Sequence, residues 1–118
     1  MTTAELKART KEFALRVIRL VNALPNTVKG RAIAKQIMRS ATSIAANYRA
    51  ACRARSRAEF IAKIGVVEEE ADETAFWLEL IIDSDIRGKT QIESLLKEAS
   101  ELVASRKSAI GNRKSAIH

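Results

Sequence analysis

Apolar residues recur along most of the chain at intervals of three and four, the spacing of one face of an α-helix. Leu6, Phe13, Val17, Leu20, Val21 and Leu24 share such a face, with Leu15 and Ile18 lying off it. Leu24-Pro25-Asn26-Thr27 then closes the segment, because proline disfavours a helical residue before it. In the second segment Ile33, Ile37, Ala41, Ile44, Tyr48 and Cys52 gather on one side. Gln36, Ser40, Ser43 and Asn47 form a polar strip beside them. With the small residues Ala45 and Ala46 nearby, that strip predicts a close helix crossing with internal hydrogen bonds, and Ser40, Ser43 and Asn47 are read as packing rather than recognition groups. Ser56-Arg57-Ala58-Glu59 reads as a capping box opening a third segment, in which Phe60, Ile64, Val67, Ala71, Leu78 and Ile82 follow one face. Ile92, Leu95, Leu96, Ala99, Leu102 and Val103 mark a fourth. Four helices, at about 3–24, 29–54, 57–84 and 90–110, with short connections predict an all-α, up-down-up-down antiparallel four-helix bundle over residues 1–110. Residues 111–118 are expected to form a flexible basic tail.

Composition narrows the class. The 118 residues contain 47% hydrophobic side chains, too many for a disordered chain, but only 4% aromatics and a single proline. The one cysteine, Cys52, leaves no internal disulfide framework and fits a reducing compartment. No apolar run approaches the ~20 residues of a membrane span, and the N-terminus lacks the apolar core of a signal peptide. The expectation is a soluble, cytoplasmic protein with no membrane partner.

The net charge of +7 is unevenly spread. Phe13 to Ala58 holds ten Lys and Arg and no carboxylate. Glu59 to Ala104 holds twelve acids against four bases. The tail is basic again and contains a repeat, Arg106-Lys107-Ser108-Ala109-Ile110 recurring as Arg113-Lys114-Ser115-Ala116-Ile117. Two readings follow. The basic and acidic helices can neutralise each other within or between protomers, or the basic surface can face an anionic polymer.

Catalytic chemistry finds few candidates. The only histidine, His118, is the last residue, so His-based catalysis and Glu-x-x-His metal pairs have no material. The acidic run Glu68-Glu69-Glu70-Ala71-Asp72-Glu73 points in several directions around a helix and is read as a solvated face or a counterpart of basic residues. Cys52 sits on an apolar face with no His to activate it. Gly30, Gly65, Gly88 and Gly111 are isolated, so no phosphate loop is present. No enzyme, cofactor, metal site or small-molecule substrate is expected.

Two surfaces remain. Arg31, Lys35, Arg39, Arg49 and Arg53 cluster within about 80° on the side of the second helix opposite its apolar face, a row about 33 Å long at ~1.5 Å per residue. Such a row suits phosphate contacts, and with no aromatic platform among the bases it suits backbone binding rather than base stacking. Arg106, Lys107, Arg113 and Lys114 of the tail would support it. On the third helix Val66, Phe76, Trp77 and Leu80 form a second apolar strip beyond what one bundle face requires, and they are read as an oligomer interface.

The run Arg39-Ser40-Ala41-Thr42-Ser43-Ile44-Ala45-Ala46-Asn47 resembles the signature of the small four helix bundle protein family, also called 23S ribosomal RNA intervening-sequence proteins. Leu24-Pro25, Ser56 to Phe60 and Phe76-Trp77-Leu78-Glu79-Leu80 fit the same pattern, over roughly residues 10 to 105. The resemblance implies an up-down bundle that assembles into a ring, often a homopentamer, with nucleic-acid binding proposed for many members and no catalytic residues to carry over. Family members often carry an acid in the pattern Asn-x-x-Glu; here that position is Ala50, which leaves the second helix wholly basic. The reading from sequence is therefore a non-enzymatic homo-oligomer that binds RNA or other nucleic acid. The alternative is an interaction scaffold whose basic helix pairs with acidic helices of neighbouring protomers.

Overall fold

Side-chain caps set where each helix begins. The computed structural model describes residues 2–84, 90 and 92–103. Thr2 Oγ1 accepts from the Glu5 N–H at 3.1 Å and opens α1, Thr3–Ala23. Leu24 ends it in an extended conformation before Pro25, as a pre-proline residue favours. Thr27 Oγ1 accepts from the Gly30 N–H at 3.0 Å and opens α2, Val28–Cys52. Ser56 Oγ accepts from the Glu59 N–H at 3.0 Å and opens α3, Arg57–Asp83. The Glu59 carboxylate reaches back, but to the N–H of Arg55 at 3.2 Å rather than that of Ser56. Each cap occupies one of the donors that a helix start leaves without an intrahelical acceptor. A fourth helical stretch, α4, covers residues 92–103.

The four helices form the up-down-up-down bundle, with α2 packed against both α1 and α3. The core draws Leu6, Phe13, Val17 and Leu20 from α1 and Ile33, Ile37, Ala41, Ile44 and Tyr48 from α2. Phe60, Ile64, Val67, Ala71, Leu78 and Ile81 come from α3, and Ile92, Leu95, Ala99 and Leu102 from α4. Fully burying an aliphatic side chain of this size stabilises a fold by roughly 1.5–3 kcal/mol, so this shared stripe is what holds the helices together. Ile81 takes the buried position rather than Ile82, a drift of one residue along a 3.6-residue repeat. Three hydroxyl residues, Thr10, Ser40 and Thr74, complete the buried set. Thr10 Oγ1 donates to the Leu6 carbonyl at 2.9 Å, so its burial leaves no unpaired polar group.

Ionic contacts close the ring of helices between α1 and α4. Arg9 Nε and Nη2 reach Glu98 Oε2 and Oε1 at 2.7 and 2.8 Å, and Nη2 also reaches Glu101 at 2.9 Å. Arg16 Nη2 donates to Ser94 Oγ at 2.7 Å. The expected continuation of α4 past residue 103 and the tail at 111–118 lie outside the described residues. So do Arg106, Lys107, Arg113 and Lys114. Among the described residues, no helix is long and apolar enough to cross a membrane.

A candidate nucleic-acid interface on the outer face of α2

The basic row predicted on α2 is divided by its neighbours. At the start of the helix the Arg31 guanidinium donates to Asn26 Oδ1 at 3.0 Å and to the Asn26 carbonyl at 3.3 Å, bracing the α1–α2 turn. Lys35 is exposed and makes no ion pair among the described residues. Arg39 leans toward α3. Its Nη1 meets Glu70 Oε2 at 3.0 Å and its Nη2 meets Glu73 Oε2. Desolvation works against the Arg39 charge, but the two carboxylates outweigh it and hold the guanidinium above its ordinary pKa. The Trp77 indole N–H points at the same Glu73 oxygen at 3.4 Å.

Arg49 and Arg53 have a different setting. The antiparallel packing of α1 on α2 brings Lys7 and Lys11 beside them. These four cations surround a groove of about 600 Å³ whose floor is Ala8, Ala45 and Ala46. None of the four forms an ion pair among the described residues. Arg53 is also on the rim of a second cavity, of about 650 Å³, at the α2–α3 corner with Ala50, Arg55, Glu59 and Lys63. Ala50, the position at which the family pattern often has an acid, thus lines the same cavity as Arg53 and Lys63. A carboxylate there would neutralise the rim; alanine leaves Glu59 as the one acid among the described residues that line that cavity.

The arrangement is suited to an extended polyanion. Guanidinium groups pair bidentately with phosphate, ammonium groups act as point charges beside it, and a methyl-lined floor imposes no hydrogen-bond pattern on bases. Lys7 and Lys11 did not stand out in the sequence. Their signal is an i, i+4 pair on the outer side of α1, and it acquires meaning only once the bundle places that pair against the last turns of α2.

The polar strip of α2 has the packing role read for it at one position above all. Ser40 is fully buried, and the Thr74 hydroxyl of α3 lies 2.8 Å from Ser40 Oγ and 2.8 Å from the Glu70 carbonyl oxygen. Asn47 Nδ2 donates within its own helix, to the Ser43 carbonyl at 2.9 Å and to Ser43 Oγ at 2.8 Å. On α3, Val66 and Phe76 are exposed, whereas Trp77 and Leu80 are partly covered and pack against the core. The Phe76 and Trp77 rings meet edge to face with centroids 5.0 Å apart. Cys52 is half-buried on the inner side of α2. Among the described residues, no group of three or more His, Cys, Asp or Glu could hold a metal ion.

No curated protein matches the chain in sequence. Among solved structures, the chain is similar to a Bacteroides thetaiotaomicron protein of unknown function from the S23 ribosomal protein family. The two share 40% identity and superpose with a TM-score of 0.87, over 94% of this chain and 99% of that one. The family model described as 23S rRNA-intervening sequence protein matches residues 3–107. With nearly the whole bundle covered and the same fold in a relative of this identity, the chain belongs to the 23S rRNA-intervening sequence protein family.

Proposed function

We propose that this protein is a non-enzymatic, self-associating cytoplasmic bundle that binds RNA through its phosphate backbone. The observation that carries the reading is the groove between α1 and α2, where Lys7, Lys11, Arg49 and Arg53 face solvent with no ion-pair partner among the described residues. Arg53, Arg55 and Lys63 extend the positive surface around the corner. Lys35 and Arg31 lie farther along the same helix. Arg106, Lys107, Arg113 and Lys114 would add contacts from the tail. Arg39 contributes least, because two carboxylates already hold it. The family's link to 23S rRNA genes supports RNA as the polymer. Self-association, as a ring of five in the form the family resemblance implies, would use Val66, Phe76, Trp77 and Leu80 of α3.

The test is binding of a fluorescein-labelled 20-nucleotide single-stranded RNA across a salt series, at protein concentrations low enough to keep the chain monomeric. Neutralising about four phosphates predicts a log–log slope near −3. Arg49→Ala combined with Arg53→Ala should roughly halve that slope while leaving the helical circular dichroism intact. No binding at about 50 mM salt, where electrostatic contacts are little screened, overturns the reading.

A further inference from the structure

The α1–α2 groove offers two kinds of surface to one ligand. Its rim is cationic, with Lys7 and Lys11 on the α1 wall and Arg49 and Arg53 on the α2 wall. Its floor is the methyl groups of Ala8, Ala45 and Ala46. Phosphates need only the rim. A row of cations on a convex helix face would serve them as well, and a phosphate gains nothing from an apolar floor. The groove's volume of about 600 Å³ falls within the roughly 300–1,000 Å³ typical of sites that enclose small organic molecules. It therefore has room for a flat ring as well as for the charged chain that carries the ring.

The floor also limits what that ring can be. Alanine side chains neither donate nor accept hydrogen bonds, and the backbone groups beneath them lie inside α1 and α2, where the helices use them. Such a floor can cover the face of a nucleobase but cannot read its edge. In a duplex the base faces are already covered by stacking, so a duplex would touch the rim and leave the methyl groups wet. An unpaired nucleotide can turn its base away from the strand, which is how proteins generally reach the bases of RNA. We propose that the groove seats an unpaired nucleotide of RNA, its base laid on Ala8, Ala45 and Ala46 and its flanking phosphates held by the two cationic walls, so that single strands and loops bind in preference to duplex. This seating rests on the groove being the phosphate site. Arg53 lines both this groove and the corner cavity, so a strand leaving the groove past Arg53 next meets Arg55 and Lys63. The preference is for the unpaired state and not for a sequence, because the contact is made to the base face alone.

Three fluorescein-labelled probes of equal phosphate number separate the base from the charge: a 20-nucleotide oligouridylate, an abasic strand of the same length, and a ten-base-pair RNA duplex. Wild-type protein should bind the oligouridylate about fivefold more tightly than the abasic strand, the gain expected when roughly 40 Å² of apolar surface leaves water. The salt slopes of those two strands should agree, since they present the same phosphates. The duplex should bind more weakly than the oligouridylate despite its denser charge. Ala8→Gln/Ala46→Gln puts uncharged bulk on the floor at two exposed positions, with a residue that suits a helix. It should bring the oligouridylate down to the affinity of the abasic strand and leave the abasic strand's own affinity as it was. Equal binding of oligouridylate and abasic strand by the wild type, or tighter binding of the duplex, overturns the seat and leaves backbone binding standing. Oligouridylate binding unchanged in the double variant, with helical circular dichroism intact, also overturns it. No binding of any of the three probes at about 50 mM salt sinks the RNA reading and the seat together.

Discussion

Ser40 and Thr74 join α2 to α3 through their hydroxyls, 2.8 Å apart and both fully buried. The pair is satisfied, since Ser40 Oγ also lies 3.3 Å from the Ile37 carbonyl and Thr74 Oγ1 2.8 Å from that of Glu70. A satisfied buried pair contributes modestly, but losing one partner strips the other of a bond it cannot replace with water. Ser40→Ala is expected to cost about 1 kcal/mol in urea unfolding. The double variant Ser40→Ala/Thr74→Val should cost less than the sum of the single changes, because its second substitution no longer strands a group. Strict additivity would show that the two hydroxyls do not interact.

Gly30 sits in the first turn of α2 directly under the turn it leaves. A Cβ added there would overlap the Pro25 carbonyl oxygen, which is backbone and cannot swing away. Gly30→Ala should therefore destabilise the chain by about 1–3 kcal/mol, despite alanine's better helix propensity. Thermal unfolding of the two proteins decides it. An unchanged or higher Tm would mean that the α1–α2 turn yields freely.

Arg9 holds Glu98 by a two-point fork, and that hydrogen bonding keeps the Glu98 carboxyl below its ordinary pKa against the pull of partial burial. The stabilisation is present above the ordinary glutamate value of 4.5 and fades as pH drops through the lower folded value. Arg9→Ala is expected to lose about 1 kcal/mol at neutral pH. The gap from wild type should narrow in acid. A gap that persists undiminished at pH 3 would show that packing of the Arg9 stem, not its charge, is what the variant lost.

Tyr48 is the chain's single tyrosine, so its phenolate absorbance reports one site. Burial pushes its hydroxyl up from 10.0 to about 12, with the Cys52 thiolate adding to the rise. An acid whose folded pKa is raised stabilises the fold fully below its unfolded value and loses that contribution as pH climbs through the folded one. Native protein should thus titrate late, and stability should decline between about pH 10 and 12. Tyr48→Phe should flatten that decline. Titration at the ordinary value in the folded protein would contradict the buried setting.

Arg39 and Arg49 lie ten residues apart on the same outer side of α2, yet their predicted responses differ. Arg39→Ala should leave the RNA salt slope nearly unchanged, because Glu70 and Glu73 already neutralise that guanidinium. Arg49→Ala should reduce the slope by about 0.7. Equal losses at both positions would mean that RNA draws Arg39 away from α3.

What could be read from the residues was whatever depends on a single helix. Ser56 announces a helix start by side-chain chemistry alone, and Pro25 announces an end. The core stripes follow from periodicity, so Ile37, Ile44, Ile64 and Leu78 are legible without neighbours. Ser40 stood out as a packing group, because a small hydroxyl beside alanines on a mostly apolar side has few other uses. Thr10 was missed, although its spacing from Leu6 and Phe13 is helical, because a hydroxyl residue is not counted as apolar and its back-bond to the Leu6 carbonyl cannot be seen in a letter string. Relations between helices were out of reach. Arg39 and Lys35 differ by about 40° around the helix axis at 100° per residue, and only packing against α3 decides which one meets Glu70. Likewise Lys7 and Lys11 acquire their neighbours from the antiparallel α1–α2 pairing.

Because α2 is flanked on both sides, its inner and lateral residues answer to two partners at once, and most changes there must be matched elsewhere. Ala46, Arg49 and Arg53 touch neither obligation heavily. Evolution can therefore rewrite this exposed edge while the interior stays as it is. Divergent members of the lineage should differ most in charge along that edge and least in architecture.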